Sequence, residues 1–104
     1  MMPSKKETGF ALFRNTGFHI TFENGCTVSV QFGPTHYCDN RSFDIEDLKD
    51  LYKGDSKPCA NAEIAAWDKN GNWIKKEDWG DDVEGWQTPA QVLEFMNYVA
   101  AYES

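Results

Sequence analysis

The sequence predicts an α+β fold, an antiparallel sheet made from two β-hairpins and packed against a C-terminal α-helix. Three observations carry that prediction. Phe18, Ile20 and Phe22 alternate with polar residues, as do Cys26, Val28, Val30 and Phe32, on either side of Asn24-Gly25. Ile64 to Asp68 and Asn72 to Ile74 repeat the arrangement around Asn70-Gly71. Finally, Val92, Phe95, Met96, Val99 and Tyr102 recur at helical spacing behind Thr88-Pro89. Period two marks half-buried strands, and a period near 3.6 marks an amphipathic helix.

Taken in order, residues 1–8 are polar and read as a flexible lead-in, leaving 9–104 as one α+β domain. Phe10-Ala11-Leu12-Phe13 either opens the sheet or packs beneath it. The register of the first hairpin follows from its side chains. A two-residue Asn24-Gly25 turn would set Phe22 opposite Thr27 and mix apolar with polar residues on both faces. A three-residue loop, Glu23-Asn24-Gly25, instead pairs Phe22 with Cys26, Ile20 with Val28 and Phe18 with Val30. All the apolar side chains then share one face, and Gly25 takes the left-handed position of the bulge.

The same reasoning makes Lys69-Asn70-Gly71 a loop that pairs Asp68 with Asn72, stacks Trp67 on Trp73 and sets Ala66 opposite Ile74. Between the hairpins, Phe43 to Tyr52 reads as a short amphipathic helix capped by Ser42 or Asp44, with Leu48, Leu51 and Tyr52 inward. Lys75 to Gln87 is polar and acidic, an ordered loop or edge strand. In the last helix Thr88 is the N-cap, Pro89 the first helical residue and Gln91 the partner in a capping box. Glu94 and Asn97 fall on its outer side.

Composition narrows the function. With 17 acidic against 10 basic residues the net charge is −7, which repels a phosphate backbone and argues against direct nucleic-acid binding. The same charge suits a basic protein surface, including one that itself holds nucleic acid, although it also serves solubility alone. No apolar run approaches the roughly 20 residues that span a bilayer, and no membrane role is expected. Lys5 and Lys6 are followed by no apolar signal region, and Cys26, Cys38 and Cys59 make an odd count. Reduced thiols in a cytoplasm are therefore expected, each acting as a small buried apolar residue.

Residues of the types that carry chemistry lack the arrangement it needs. His36, Cys38 and Cys59, with His19 and Cys26, supply zinc-ligand types, but there is no Cys-x-x-Cys pair, and His19 and Cys26 point to opposite faces. No metal and no cofactor are expected. Asp68, Asn70 and Asn72 copy the first ligands of a calcium loop, yet Trp73 stands where such a loop requires Gly and Trp79 where it requires Glu. Cys38 with His36 or His19 and Asp39 carries none of the local signatures of a thiol enzyme. Phosphate-cradling glycine loops are absent, and acidic pairs such as Asp81-Asp82 lack apolar neighbours to raise a pKa. The expectation is a protein that is not an enzyme.

Two surfaces are candidates for binding. The segment Gly33 to Arg41 places His36, Tyr37, Asp39, Asn40 and Arg41 together, a dense set of donors, acceptors and aromatic surface. The competing reading is a structured connection whose Asn and Asp form turns. Trp79 and Trp86, beside Asp78, Asp81, Asp82 and Glu84, would make an acidic, aromatic patch suited to a basic partner. Tryptophans in a small domain also serve simply as core.

Four stretches carry a resemblance: Gly17 to Pro34 (GFHITFENGCTVSVQFGP), Tyr37 to Arg41 (YCDNR), Ala62 to Trp73 (AEIAAWDKNGNW) and the helix led by Thr88-Pro89. They resemble small phage-encoded and prophage-encoded proteins of unknown function. The resemblance implies an accessory protein of the infected bacterial cytoplasm that binds and inhibits a host defence protein. It transfers no residue role. The alternative is a binder that sequesters a small molecule or signalling nucleotide, with Arg41 and Tyr37 enclosing an anion and a base. A zinc-dependent or thiol-dependent enzyme ranks below both.

Overall fold

Three reversals of the chain, each closed by three residues between paired positions, build most of the sheet. The computed structural model describes residues 8–13, 15–44 and 58–103. Strands β1 (Gly9–Phe13), β2 (Gly17–Thr21) and β3 (Thr27–Gln31) are followed by β4 (Ala62–Trp67), β5 (Trp73–Ile74) and β6 (Glu84–Gln87), and helix α1 (Pro89–Ala100) closes the order. All pairings are antiparallel, in the order β1-β2-β3-β4-β5. β6 pairs with the first half of β4, Ala62 and Ile64, while β5 takes Ala66 and Trp67. Two short strands thus share one flank of β4.

Both expected registers are present. Phe18 pairs with Val30 and Ile20 with Val28, and the Phe22 N–H donates to the Cys26 carbonyl at 2.9 Å. Trp67 pairs with Trp73 and Ala66 with Ile74. Gly25 and Gly71 adopt φ of +85° and +86°, the left-handed region that an L side chain enters at a cost. The two tryptophan rings meet edge to face, at 83°, and not stacked as expected. Phe10 to Phe13 does open the sheet, as β1, and the third hairpin pairs Phe13 with Gly17. Here Asn15 takes φ +61° in place of a glycine, which is why no Asn-Gly signal announced it. The expected helix over 43–52 lies mostly outside the described residues, as does all but the end of the lead-in.

The apolar face of the sheet carries the core. Val28, Val30, Ile64, Ala66 and Ile74 are buried there against Val92, Phe95 and Val99 of α1. Thr88 and Gln91 complete the capping box from both sides. Met96 and Tyr102 pack half-buried at the margin, while Glu94 and Asn97 face outward.

The polar face is buried too. Thr21, Thr27, Ser29 and Gln31 all lie below a tenth exposure. His19 pairs with Ser29 and Thr27 pairs with Trp67, and the His19 and Trp67 rings meet 5.2 Å apart, closing over the small β3 side chains between them. Phe13 stacks on the other side of His19. Burying hydroxyls and amides costs free energy unless they bond to one another. They do so here: Thr21 with Thr27 at 2.9 Å, Gln31 Nε2 to Ser29 Oγ at 3.2 Å, and Thr16 Oγ1 to Gln31 Oε1 at 2.8 Å.

Candidate functional site

The segment after β3 folds on itself before it meets anything else. His36 N–H donates to the Gly33 carbonyl, Cys38 N–H to that of His36, Arg41 N–H to that of Cys38, and Ser42 N–H to that of Pro34. Turn after turn of this kind follows from Gly, Pro, Asn and Asp spaced through nine residues. The coil is then tied to β4 and its lead-in. Tyr37 N–H donates to Glu63 Oε2 at 3.1 Å, and Asp39 N–H to Asn61 Oδ1 at 2.8 Å. Asn40 Nδ2 reaches the carbonyls of Phe32 and Pro58.

Within this coil the expected binding residues divide into two groups. His36 and Asn40 serve the loop itself. Nδ1 of His36 accepts the Gly33 N–H at 3.2 Å, and burial holds the imidazole below its ordinary range against the opposing charge of Glu63. Cys38 is 1% exposed, and its thiol donates to the Gly33 carbonyl. Burial, with the Cys59 thiol beside it, pushes the Cys38 pKa up to about 11. Tyr37 and Asp39 are exposed, and Arg41 is half-buried.

The second expected surface joins the first at one strand. Trp86 N–H donates to the Tyr37 carbonyl at 2.8 Å, and the two rings lie 5.9 Å apart. Gly85 makes that approach feasible, since a Cβ there would sit 2.5 Å from the Tyr37 Cβ. The Arg41 guanidinium lies 4.7 Å from the Tyr37 ring centre and 5.3 Å from that of Phe43, within cation–π range. Trp86, Tyr37, Arg41 and Phe43 therefore form one row, with Trp86 50%, Tyr37 42% and Phe43 85% exposed. Trp86 holds φ +51°, and the β4–β6 register shifts between Ala62 and Ile64.

One expected site residue is corrected. Trp79 does not share the surface: it is 8% exposed and packs on Phe95 with ring centres 4.7 Å apart, so burial of its large apolar area places it in the core. Asp81 is exposed and Asp82 half-buried, Asp81 Oδ1 accepting the Asp82 N–H, and Glu84 opens β6. Sequence reasoning missed Phe43, read as the start of a helix, and also missed Asn61 and Glu63 as anchors of the loop. Neither anchor carried a signal, because a strand residue reveals its cross-chain partner only once the sheet is paired.

Among the described residues, no three His, Cys, Asp or Glu side chains converge on a metal-holding geometry. Asp68 Oδ1 accepts the N–H groups of Asn70 and Asn72, so the calcium-like spacing is used by the hairpin turn. No described helix is long and apolar enough to cross a membrane. No family model matches the chain, and no curated protein or solved structure matches it.

Proposed function

We propose that the chain is a non-enzymatic accessory protein, of the phage-encoded kind it resembles, that binds and inhibits a defence protein in the bacterial cytoplasm. Its grip is the Tyr37–Trp86–Arg41–Phe43 row with the acidic Asp81, Asp82 and Glu84 alongside. One observation carries this reading: Trp86 is half exposed and sits in a backbone conformation that costs a non-glycine residue about 1–2 kcal/mol. Strain of that size is kept where a site needs it, and the fold itself recovers little from a ring half in water. Trp, Tyr and Arg are also the residues that dominate protein interfaces.

Chemistry at Cys38 finds little support. At neutral pH a thiol near 11 yields almost no thiolate, and the Nδ1 lone pair of His36 is already taken. The nucleotide-binding alternative is weakened by Arg41, which lies against two rings and donates to the Thr35 carbonyl.

The net charge of −7 favours a partner with a basic surface, such as one that holds nucleic acid. Reversal of Asp81, Asp82 and Glu84 to Lys should weaken the partner at least about tenfold and flatten its salt dependence, without lowering the melting temperature. Unchanged affinity in a titration would remove the acidic mechanism.

A further inference from the structure

All three cysteines are free, and two of them meet where the coil of residues 33–41 touches the lead-in to β4. Their approach follows from the bonds around them. Asn61 Oδ1 accepts both the Asp39 N–H, at 2.8 Å, and the Cys59 thiol, at 3.8 Å. One residue further along the coil, Asn40 Nδ2 reaches the Pro58 carbonyl at 3.4 Å. The two residues after Cys38 are thus tied to residues on either side of Cys59, and the two thiols lie within hydrogen-bonding reach of each other. Cys26 stands apart, fully buried in the first hairpin beside Asp68 and Lys69.

The pair is unequal in access. Cys38 is 1% exposed, whereas Cys59 is half-buried, so a small reagent in solvent meets the Cys59 sulfur first. Loss of both thiol hydrogens would strand no acceptor. The Gly33 carbonyl, which takes the Cys38 thiol at 3.5 Å, keeps the His36 N–H at 3.2 Å. Asn61 Oδ1 likewise keeps the Asp39 N–H. A buried acceptor left without a donor is what ordinarily makes such a change costly.

We infer that Cys38 and Cys59 are a thiol–disulfide exchange site, in which Cys59 attacks a low-molecular-weight disulfide such as oxidised glutathione and Cys38 closes the internal bond. In the first step the Cys59 thiolate attacks one sulfur of the reagent, the S–S bond of the reagent breaks, and one glutathione leaves. In the second, Cys38 loses its proton to solvent and attacks the Cys59 sulfur, displacing the other glutathione. The two protein thiols give up two electrons and two protons, and the reagent ends as two thiols. Burial slows both directions. Cys38, with its pKa at about 11, is scarcely ionised at neutral pH, so closure is slow. Reopening by attack at Cys59 must expel that same poor leaving group, and attack at Cys38 is blocked by the protein around it. In a reducing cytoplasm the pair stays open, and oxidative exposure closes it. Closure makes the coil, between Tyr37 and Asp39, covalently part of the β4 lead-in.

The full chain, folded and equilibrated with millimolar oxidised glutathione, then denatured and alkylated, tests the site directly. Three thiols should be alkylated before oxidation and one afterwards. Chymotrypsin, cutting after Phe32 and Tyr37, separates Cys26 from Cys38 and should release peptides joined through Cys38 and Cys59, with Cys26 alkylated. Reduction of the bond by dithiothreitol should be at least about tenfold slower in the folded chain than in urea. Cys59→Ser should stay fully reduced, with no glutathione on Cys38, and Cys38→Ala should hold a single glutathione on Cys59. If Cys38→Ala does not fold, the parent and Cys59→Ser, altered at a half-buried position, carry the test. Three alkylated thiols after equilibration, a bond that includes Cys26, or glutathione held on Cys59 of the parent without an internal bond would overturn the inference. So would reduction that is equally fast in the folded and unfolded chain.

Discussion

At the scale of single residues, two side chains bear tension between fold and use. Gly suits the conformation of Trp86 but costs chain entropy and loses the ring's contact with Tyr37, so these effects nearly cancel. Trp86→Gly should therefore stay within about 1 kcal/mol of the parent in urea unfolding. His36 supplies a pH dependence. Its folded pKa lies below the ordinary 6.5 because burial disfavours the charged ring, and only an unprotonated Nδ1 accepts the Gly33 N–H. Folding thus favours the neutral form. The stability this contributes is complete above about pH 6.5 and is lost as the pH falls through the depressed folded value. An NMR titration of the His36 ring should give a midpoint below 6.5, with faster exchange of the Gly33 amide on the acid side. A midpoint at or above 6.5 would contradict the assignment.

At the scale of elements, the helix depends on a residue of the first hairpin. Asn24 Nδ2 lies 2.9, 3.2 and 3.0 Å from the carbonyls of Val99, Ala100 and Tyr102, while its Oδ1 accepts the Cys26 N–H. The first two carbonyls belong to the last turn of α1, among the groups that the end of a helix leaves without intrahelical partners, and the third lies just beyond it. Asn24→Ala should cost about 1–2 kcal/mol. Asn24→Asp should cost more, because it sets a carboxylate against carbonyl oxygens at the negative end of the helix; urea midpoints measure both. The sequence marked Asn24 as a turn residue and nothing further, since its second role requires the helix to have packed first. Local signals were legible: alternation fixed both hairpin registers, and Thr88, Pro89 and Gln91 fixed the start of α1. Long-range placement was not. Trp79 and Trp86 sit in similar polar surroundings in the chain, yet one meets Phe95 in the core and the other meets Tyr37 at the surface. The buried polar face was equally hidden, because Thr27 and Ser29 read as solvent-facing until His19 and Trp67 close over them.

At the scale of the whole molecule, the sheet holds the coil of residues 33–41 against β6, so that two surfaces far apart in sequence become one face. Glu63, Asn61 and the Tyr37 carbonyl make that junction, and an excess of acidic residues surrounds it in the chain. The central claim, that this face binds a protein, is tested most directly by quantitative capture from bacterial lysate with the parent and Trp86→Gly side by side. The account predicts one protein recovered in near-stoichiometric amount with the parent and lost with the variant, while both baits remain folded. Recovery of the same proteins in the same amounts by both baits would contradict it.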